Sequence, residues 1–236
     1  MITLVGTGHI FKIAEPVTFI IKNIWPDAVL VELDASRYNA ITSSETSENN
    51  DSTWAYRKMA KYQKKMAAEY DSKVGAEFIA AVETGKIIGA AIEFIDTNAH
   101  QTMERVWKEM SFRERMRFRF SLIGDRFRSK KKADDTMQDF AENEEKYFEA
   151  MRKRYPTLVR ILIDERNVHM SEKIKEASAK YENIVAVIGD GHVEGIAKLI
   201  GEASVRKIRL KTLMDTESMN SLRAELWSGI PEEEKK

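Results

Sequence analysis

Residues 2–9 read ITLVGTGH, and residues 184–192, near the other end of the chain, read IVAVIGDGH. Both stretches begin with apolar, β-type residues, and each places a glycine three positions before a histidine. A strand that ends in a glycine turn brings the next side chains to the carboxyl edge of a sheet, where α/β proteins hold their sites. Because the chain has only four histidines, this repeat predicts that His9 and His192 meet at one sheet edge.

Strand and helix patterns alternate over the rest of the chain. Apolar runs predict strands at 2–5, 28–33, 86–95, 184–188 and 205–213. Helical periodicity predicts helices at 14–24, 36–41, 54–70, 72–84, 165–181, 192–200 and 214–227, and almost throughout 99–154. The polar stretch 42–53 is predicted to be a mobile loop. This order predicts an α/β fold with a mainly parallel central sheet flanked by helices and a helical insertion in the middle of the chain.

Length and composition narrow the class of protein. We predict a single domain over residues 1–236, with the insertion at about 99–155 and a charged tail at 228–236. The 38 basic and 38 acidic residues cancel, so overall charge does not favour nucleic acid or an anionic membrane as partner. The lack of cysteine excludes disulfides, thiolate zinc sites and cysteine nucleophiles. With no signal-peptide pattern and no apolar stretch of about 18 residues, we expect a cytoplasmic protein.

A carboxylate joins the two histidines at the predicted sheet edge. Glu32 and Asp34 end the second predicted strand, so a parallel sheet places them on the same edge as His9. Two imidazoles and a carboxylate, with a position left for water, are the ligands of a catalytic divalent-metal site. The alternative is that each glycine serves a strand-to-helix turn and each histidine caps the helix after it. The residues alone leave both interpretations open.

Four segments resemble one known family. They are Gly6-Thr7-Gly8-His9, the run 26–34 with Arg37, the segment Asp164-Glu165-Arg166-Asn167 with Met170, and the closing stretch 189–196. In this order they resemble the TraB/PrgY family, which is related to the Tiki-type metalloproteases and more distantly to erythromycin esterase and ChaN-like proteins. The resemblance covers about residues 2–201. Segment 96–107 also resembles the family at Thr102, Arg105 and Trp107, but Thr97 and Asn98 depart from its pattern.

The resemblance implies a site and an activity. It implies a metal-dependent peptidase that holds Zn, Mn or Co through His9, Glu32 and His192, with Glu32 as ligand or as base. Its catalytic neighbours would be Arg37, Glu165 and Arg166, where Arg37 or Arg166 would bind an oxyanion or a substrate carboxylate. The supporting residues would be Gly6, Gly8, Asp96, Arg105, Asn167, Gly189 and Gly191.

Two alternatives to catalysis stay open. The same cleft could sequester a peptide without cutting it, as the pheromone-inhibitor branch of the family suggests. Asp164, Glu165, Arg166 and Arg37 could instead form a structural ion-pair network. We expect a peptide or small protein as the partner, no nucleic acid, and a homodimer as one open oligomeric state.

A basic and aromatic segment lies in the insertion. Residues 112–132 interleave arginines and lysines with phenylalanines, and on a helix one face carries Phe112, Met116, Phe120, Ile123 and Phe127. Such a face could lie on an anionic membrane or bind a partner helix. We favour the usual arrangement, in which the apolar face packs on the core and the charges stay solvated.

Overall fold

The computed structural model describes residues 1–8, 11–42, 75–124, 146 and 148–228, with side chains for all of these except 121–124. The chain divides into two compact units. The first unit combines Met1–Ala99 with Asn167–Lys236, and the second is His100–Arg166. The predicted loop at 42–53 (beyond Thr42), the predicted helix at 54–70 and most of the charged tail lie outside the described residues.

A parallel five-stranded sheet forms the first unit. Its strands are β1 (Ile2–Thr7), β2 (Ala28–Val31), β3 (Ala91–Phe94), β4 (Ile184–Gly189) and β5 (Val205–Ile208). They lie in the order β3-β2-β4-β1-β5, and every neighbouring pair is parallel. The predicted α/β fold with a parallel central sheet is therefore confirmed.

The two glycine motifs follow adjacent strands. In the β1–β4 ladder Gly6 lies opposite Ile188, and Thr7 lies opposite Gly189. β2 borders β4 on its other side, so the carboxyl ends of β1, β4 and β2 stand side by side. This register brings the end of the first motif, the start of the second and the residue after β2 to one edge.

The sheet is buried because its strands are almost wholly apolar. All six residues of β1 and the first five of β4 are buried, as expected for a parallel sheet covered on both faces. Helices with apolar faces cover it, and a connected core includes Leu4, Leu30, Met170, Ile174, Ile184 and Ile196.

The helices of the first unit follow the predicted pattern except at 210–214, most of which was predicted as strand. They are α1 (Ala14–Ile24), α2 (Ala35–Thr42), α3 (Ala76–Ile87), α7 (Glu165–Ser178, which begins in the second unit), α8 (Asp190–Ile200), α9 (Leu210–Met214) and α10 (Thr216–Ser228). α1 has its predicted bounds, because Trp25 turns into the left-handed region, with φ of 49°, just before Pro26.

Two predicted strands extended into segments that are helical. The strand predicted at 86–95 begins only at Ala91, because α3 continues to Ile87 and Gly89 turns the chain with φ of 77°. The strand predicted at 205–213 ends at Ile208, and α9 starts at Leu210. The apolar alternation of that segment did not reveal the change from strand to helix.

The second unit is helical where it is described. It contains most of α4 (Ala99–Glu109), α5 (Phe112–Gly124), α6 (Pro156–Val159) and a π-helical turn at Arg160–Asp164. The buried Glu114 carboxylate joins two helix starts by accepting hydrogen bonds from the Ser111 N–H (3.1 Å), the Thr157 N–H (2.9 Å) and the Thr157 hydroxyl (2.9 Å). Burial acts to raise the pKa of Glu114, but the bonds from Thr157 and Ser111 outweigh it and hold the pKa below its ordinary value.

The expected packing of the basic and aromatic helix was wrong for two residues. Phe112 and Phe120 are 72% and 64% exposed, while Phe118 is buried and meets the Tyr155 ring edge-on. Helical periodicity predicts which side chains share a face, but it does not predict which face is covered. Phe127 and the Ile123 side chain lie outside the described residues. Within the described part of the chain, no helix is long and apolar enough to cross a bilayer.

Candidate functional site

Glu32 and His192 face each other at the carboxyl edge of the sheet. Glu32 follows β2, and its N–H donates to the Val187 carbonyl of β4 at 3.0 Å, which fixes its place beside the second motif. His192 is the third residue of α8, so it lies within the first helical turn and does not cap the helix. Both side chains are buried, with exposed fractions of 3% and 6%, and Glu32 Oε1 lies 3.6 Å from His192 Nε2.

The glycine of the second motif holds the Glu32 carboxylate. The Gly189 N–H donates to Glu32 Oε2 at 2.5 Å. A Cβ at Gly189 would lie 3.2 Å from the same oxygen, so the lack of a side chain lets the carboxylate approach the backbone. Gly191 follows inside the first turn of α8.

Asn167 sets the orientation of the imidazole. Its Oδ1 lies 2.7 Å from His192 Nδ1. An amide oxygen only accepts hydrogen bonds, so Nδ1 carries the proton and donates it, which leaves Nε2 on the side of Glu32. Asn167 fits here because residue 195 is glycine, where a Cβ would lie 2.2 Å from Asn167 Nδ2. The functional part of the second motif therefore extends from Gly189 to Gly195.

An arginine that sequence reasoning missed holds the start of α8. Arg209 donates from Nε to Asp190 Oδ1 at 2.9 Å and from Nη2 to Asp190 Oδ2 at 2.8 Å. The Leu210 N–H also donates to Asp190 Oδ1 at 2.8 Å, so the same carboxylate starts α9. This carboxylate lies directly over Gly6, where a Cβ would come within 2.1 Å of Oδ1. In the sequence, Arg209 was only one of several basic residues within the strand predicted at 205–213.

Glu194 is the second carboxylate that binds Arg209. It accepts from Arg209 Nη1 at 2.8 Å and from Lys207 Nζ at 2.9 Å. Burial acts to raise the pKa of Glu194, but Lys207 and Arg209 outweigh it and keep the pKa below its ordinary value.

The first motif is described only up to Gly8. A Cβ at Gly8 would lie 2.9 Å from the Phe11 ring, so this position is also tight. His9 lies outside the described residues. Within the described residues, and so without His9, no three His, Asp or Glu side chains are grouped as a metal site requires. The complete set of His9, Glu32 and His192 stays a prediction.

Comparison with known proteins decides the family. A family model described as TraB/PrgY/gumN matches residues 1–211. The chain belongs to the TraB/PrgY/gumN family. Uncharacterized protein MJ1365 of Methanocaldococcus jannaschii is 30% identical to it over 210 residues, which are 84% of this chain and 53% of that protein. The chain thus spans about half the length of this curated relative, and the predicted resemblance is confirmed.

Asp34 and Arg37 lie at the same sheet edge as Glu32, and both contact other residues of the protein. Asp34 accepts hydrogen bonds from the N–H groups of Arg37 (3.0 Å) and Ala99 (3.3 Å), so its two oxygens tie α2 to the start of α4. Arg37 forms an ion pair with the buried Asp96 carboxylate at 3.6 Å. Asp96 Oδ1 also accepts the Thr97 N–H at 2.8 Å. Asp96, which was predicted as a supporting residue, therefore pairs with Arg37.

The remaining predicted residues lie in the second unit. Arg105, Glu109, Arg160 and Glu165 form a ring of ion pairs, in which Arg105 Nη2 lies 3.0 Å from Glu165 Oε2. Asp164 pairs with Arg152, and Arg166 donates to the Leu162 carbonyl at 3.2 Å. The ring side chains are 36% to 53% exposed, so solvent screens each pair and its contribution to stability is small.

Proposed function

We propose that this chain is a metal-dependent peptidase whose divalent ion is held by His9, Glu32 and His192. The observation that carries the proposal is the separation of 3.6 Å between Glu32 Oε1 and His192 Nε2. This distance is too long for a hydrogen bond. Two ligands on one tetrahedral zinc, at about 2.0–2.2 Å each, stand about 3.3–3.6 Å apart. The pair therefore has the spacing of two neighbouring ligands.

The chemistry of the two donors also fits a cation. A neutral imidazole offers its Nε2 lone pair beside the Glu32 carboxylate in a buried place, where binding a positive ion between the two is favourable. Asn167 supports this arrangement, because a histidine ligand commonly donates its second N–H to an oxygen that fixes the ring. We assign Oε1 as the metal-binding oxygen of Glu32, since Oε2 accepts the Gly189 N–H.

A metal bound here would lower the pKa of a water molecule toward about 7 and supply hydroxide at neutral pH. Three protein residues would hold the ligands in place. Asn167 would orient the imidazole, Gly189 would hold the carboxylate, and Arg209 would fix the start of α8, which carries His192. Arg37, beyond Glu32 at the same sheet edge, is the proposed partner of a substrate carboxylate or an oxyanion. The peptide as substrate rests on the resemblance to the Tiki-type metalloproteases.

Cleavage of a fluorogenic peptide library tests this function. We expect the zinc-, manganese- or cobalt-loaded protein to cleave some peptides, and we expect a chelator or His192→Ala to abolish cleavage. The matched control is His169→Ala, which removes a histidine from α7 outside the site. Peptides that bind with no cleavage under any of the three metals would overturn the peptidase and favour the sequestering module instead.

A further inference from the structure

The outward face of α5 carries an exposed apolar stripe. Phe112, Met116 and Phe120 follow one another at intervals of four residues and so lie on one side of the helix. Phe112 is 72% exposed, Phe120 is 64% exposed and Met116 is half-buried. The opposite side of the helix buries Glu114 and Phe118. The helix is thus anchored by one face and presents large apolar side chains on the other.

Arginines border this stripe on both sides. With about 100° per residue, Arg113 and Arg117 fall on one side of the stripe and Arg119 falls on the other. All three are exposed. The only acidic residue in 112–120 is Glu114, whose carboxylate is buried in hydrogen bonds to Ser111 and Thr157. Over residues 112–120, the outward face of α5 therefore combines apolar side chains with positive charge.

We propose that α5 docks this protein on an anionic lipid bilayer. Phenylalanines of an interfacial helix enter the boundary between headgroups and acyl chains, while arginines beside them reach the lipid phosphates. The charge pattern selects a bilayer over a second copy of the chain. Two copies that met through this stripe would bring arginines against arginines, and such contacts between like charges are unfavourable.

Vesicle sedimentation with the full chain tests the proposal. We use vesicles of phosphatidylcholine alone and vesicles with about one third phosphatidylserine. We expect binding only to the anionic vesicles, and we expect added salt to weaken it, because salt screens the arginines. His192→Ala should bind vesicles as the wild type does, which separates this proposal from the proposed peptidase.

Two variants and their controls identify the surface. Phe112→Ser with Phe120→Ser should lower the partition coefficient roughly tenfold for each phenylalanine. Ile87→Ser with Met214→Ser, which also removes two exposed apolar side chains, should bind like the wild type. Replacing Arg113, Arg117 and Arg119 by glutamine should lower binding about fivefold for each arginine. Replacing the exposed Lys22, Lys175 and Lys211 by glutamine makes the same change in net charge and should have a smaller effect.

Three results would overturn the proposal. The first is a wild-type protein that stays in the supernatant with anionic vesicles. The second is a Phe112→Ser, Phe120→Ser variant that binds those vesicles as well as the wild type and keeps its helical circular dichroism. The third is a dimer, seen by sedimentation equilibrium, that this variant dissociates, since a second copy would then cover the stripe.

Discussion

Arg209 forms a bidentate ion pair with Asp190, in which Nε donates to Oδ1 at 2.9 Å and Nη2 donates to Oδ2 at 2.8 Å. Asp190 lies two residues before His192 and directly over Gly6 of the first motif. The contact therefore joins the end of β5, the start of α8 and the end of β1. An arginine 17 positions beyond the histidine holds the second motif against the first.

Replacing Arg209 by methionine should destabilise the first unit. Asp190 is 8% exposed, and without Arg209 its carboxylate loses both charged hydrogen bonds. We expect a loss of about 2 kcal/mol in the free energy of unfolding, measured by urea denaturation. Arg206→Met is the matched control, since Arg206 lies on β5, just before Arg209, and pairs with the exposed Glu225. Its expected loss is below about 1 kcal/mol. Equal losses in both variants would contradict a special role for Arg209.

Gly195→Ala should disturb His192 without touching it. The new Cβ would lie 2.2 Å from Asn167 Nδ2, so the amide that orients the imidazole must move. Loss of such a supporting contact lowers metal affinity about 10- to 100-fold, which zinc titration by calorimetry would measure.

A double-mutant cycle with Asn167→Ala provides the control for this effect. Once the amide is gone, Gly195→Ala has nothing to displace, and the second substitution should change the affinity little. Additive losses in the double variant would show that alanine at 195 acts through another contact.

Glu114 should make stability depend on pH. Its pKa in the folded protein lies below the ordinary value of 4.5, so the unfolded chain takes up its proton first as the pH falls. The stabilisation is therefore present above about 4.5 and is lost as the pH falls through the lower folded pKa. Glu114→Gln should lose about 1 kcal/mol at neutral pH and show a flatter stability profile in acid. The exposed Glu202→Gln serves as control, and an unchanged acid slope in Glu114→Gln would refute this account.

Much of the fold was predictable because its strands are short apolar segments that are separated by turn-forming residues. The repeated glycine and histidine spacing predicted two equivalent strand ends, and β1 and β4 proved to be neighbours. The end of β5 was not predictable, since α9 begins where the Asp190 carboxylate accepts the Leu210 N–H, and that contact joins distant segments.

The sequence pointed to residues of the candidate site but not to the contacts between them. The residues of the motifs pointed to Glu32 and His192, and the family resemblance added Asn167. The hydrogen bond between Asn167 and His192 arises only when α7 lies against α8. Arg209 was missed because an arginine after a strand has no distinctive spacing, and its role depends on where Asp190 stands.

Metal content tests the central claim most directly. The purified wild-type protein, His192→Ala and the control His169→Ala would each be supplied with zinc, manganese and cobalt in turn and measured by elemental mass spectrometry. We predict close to one ion per chain for the wild type and for His169→Ala, and less than about a tenth of that for His192→Ala, because the imidazole is one of the three ligands. A wild type that retains none of the three metals, or a His192→Ala variant that retains as much as the wild type, would contradict the proposed site.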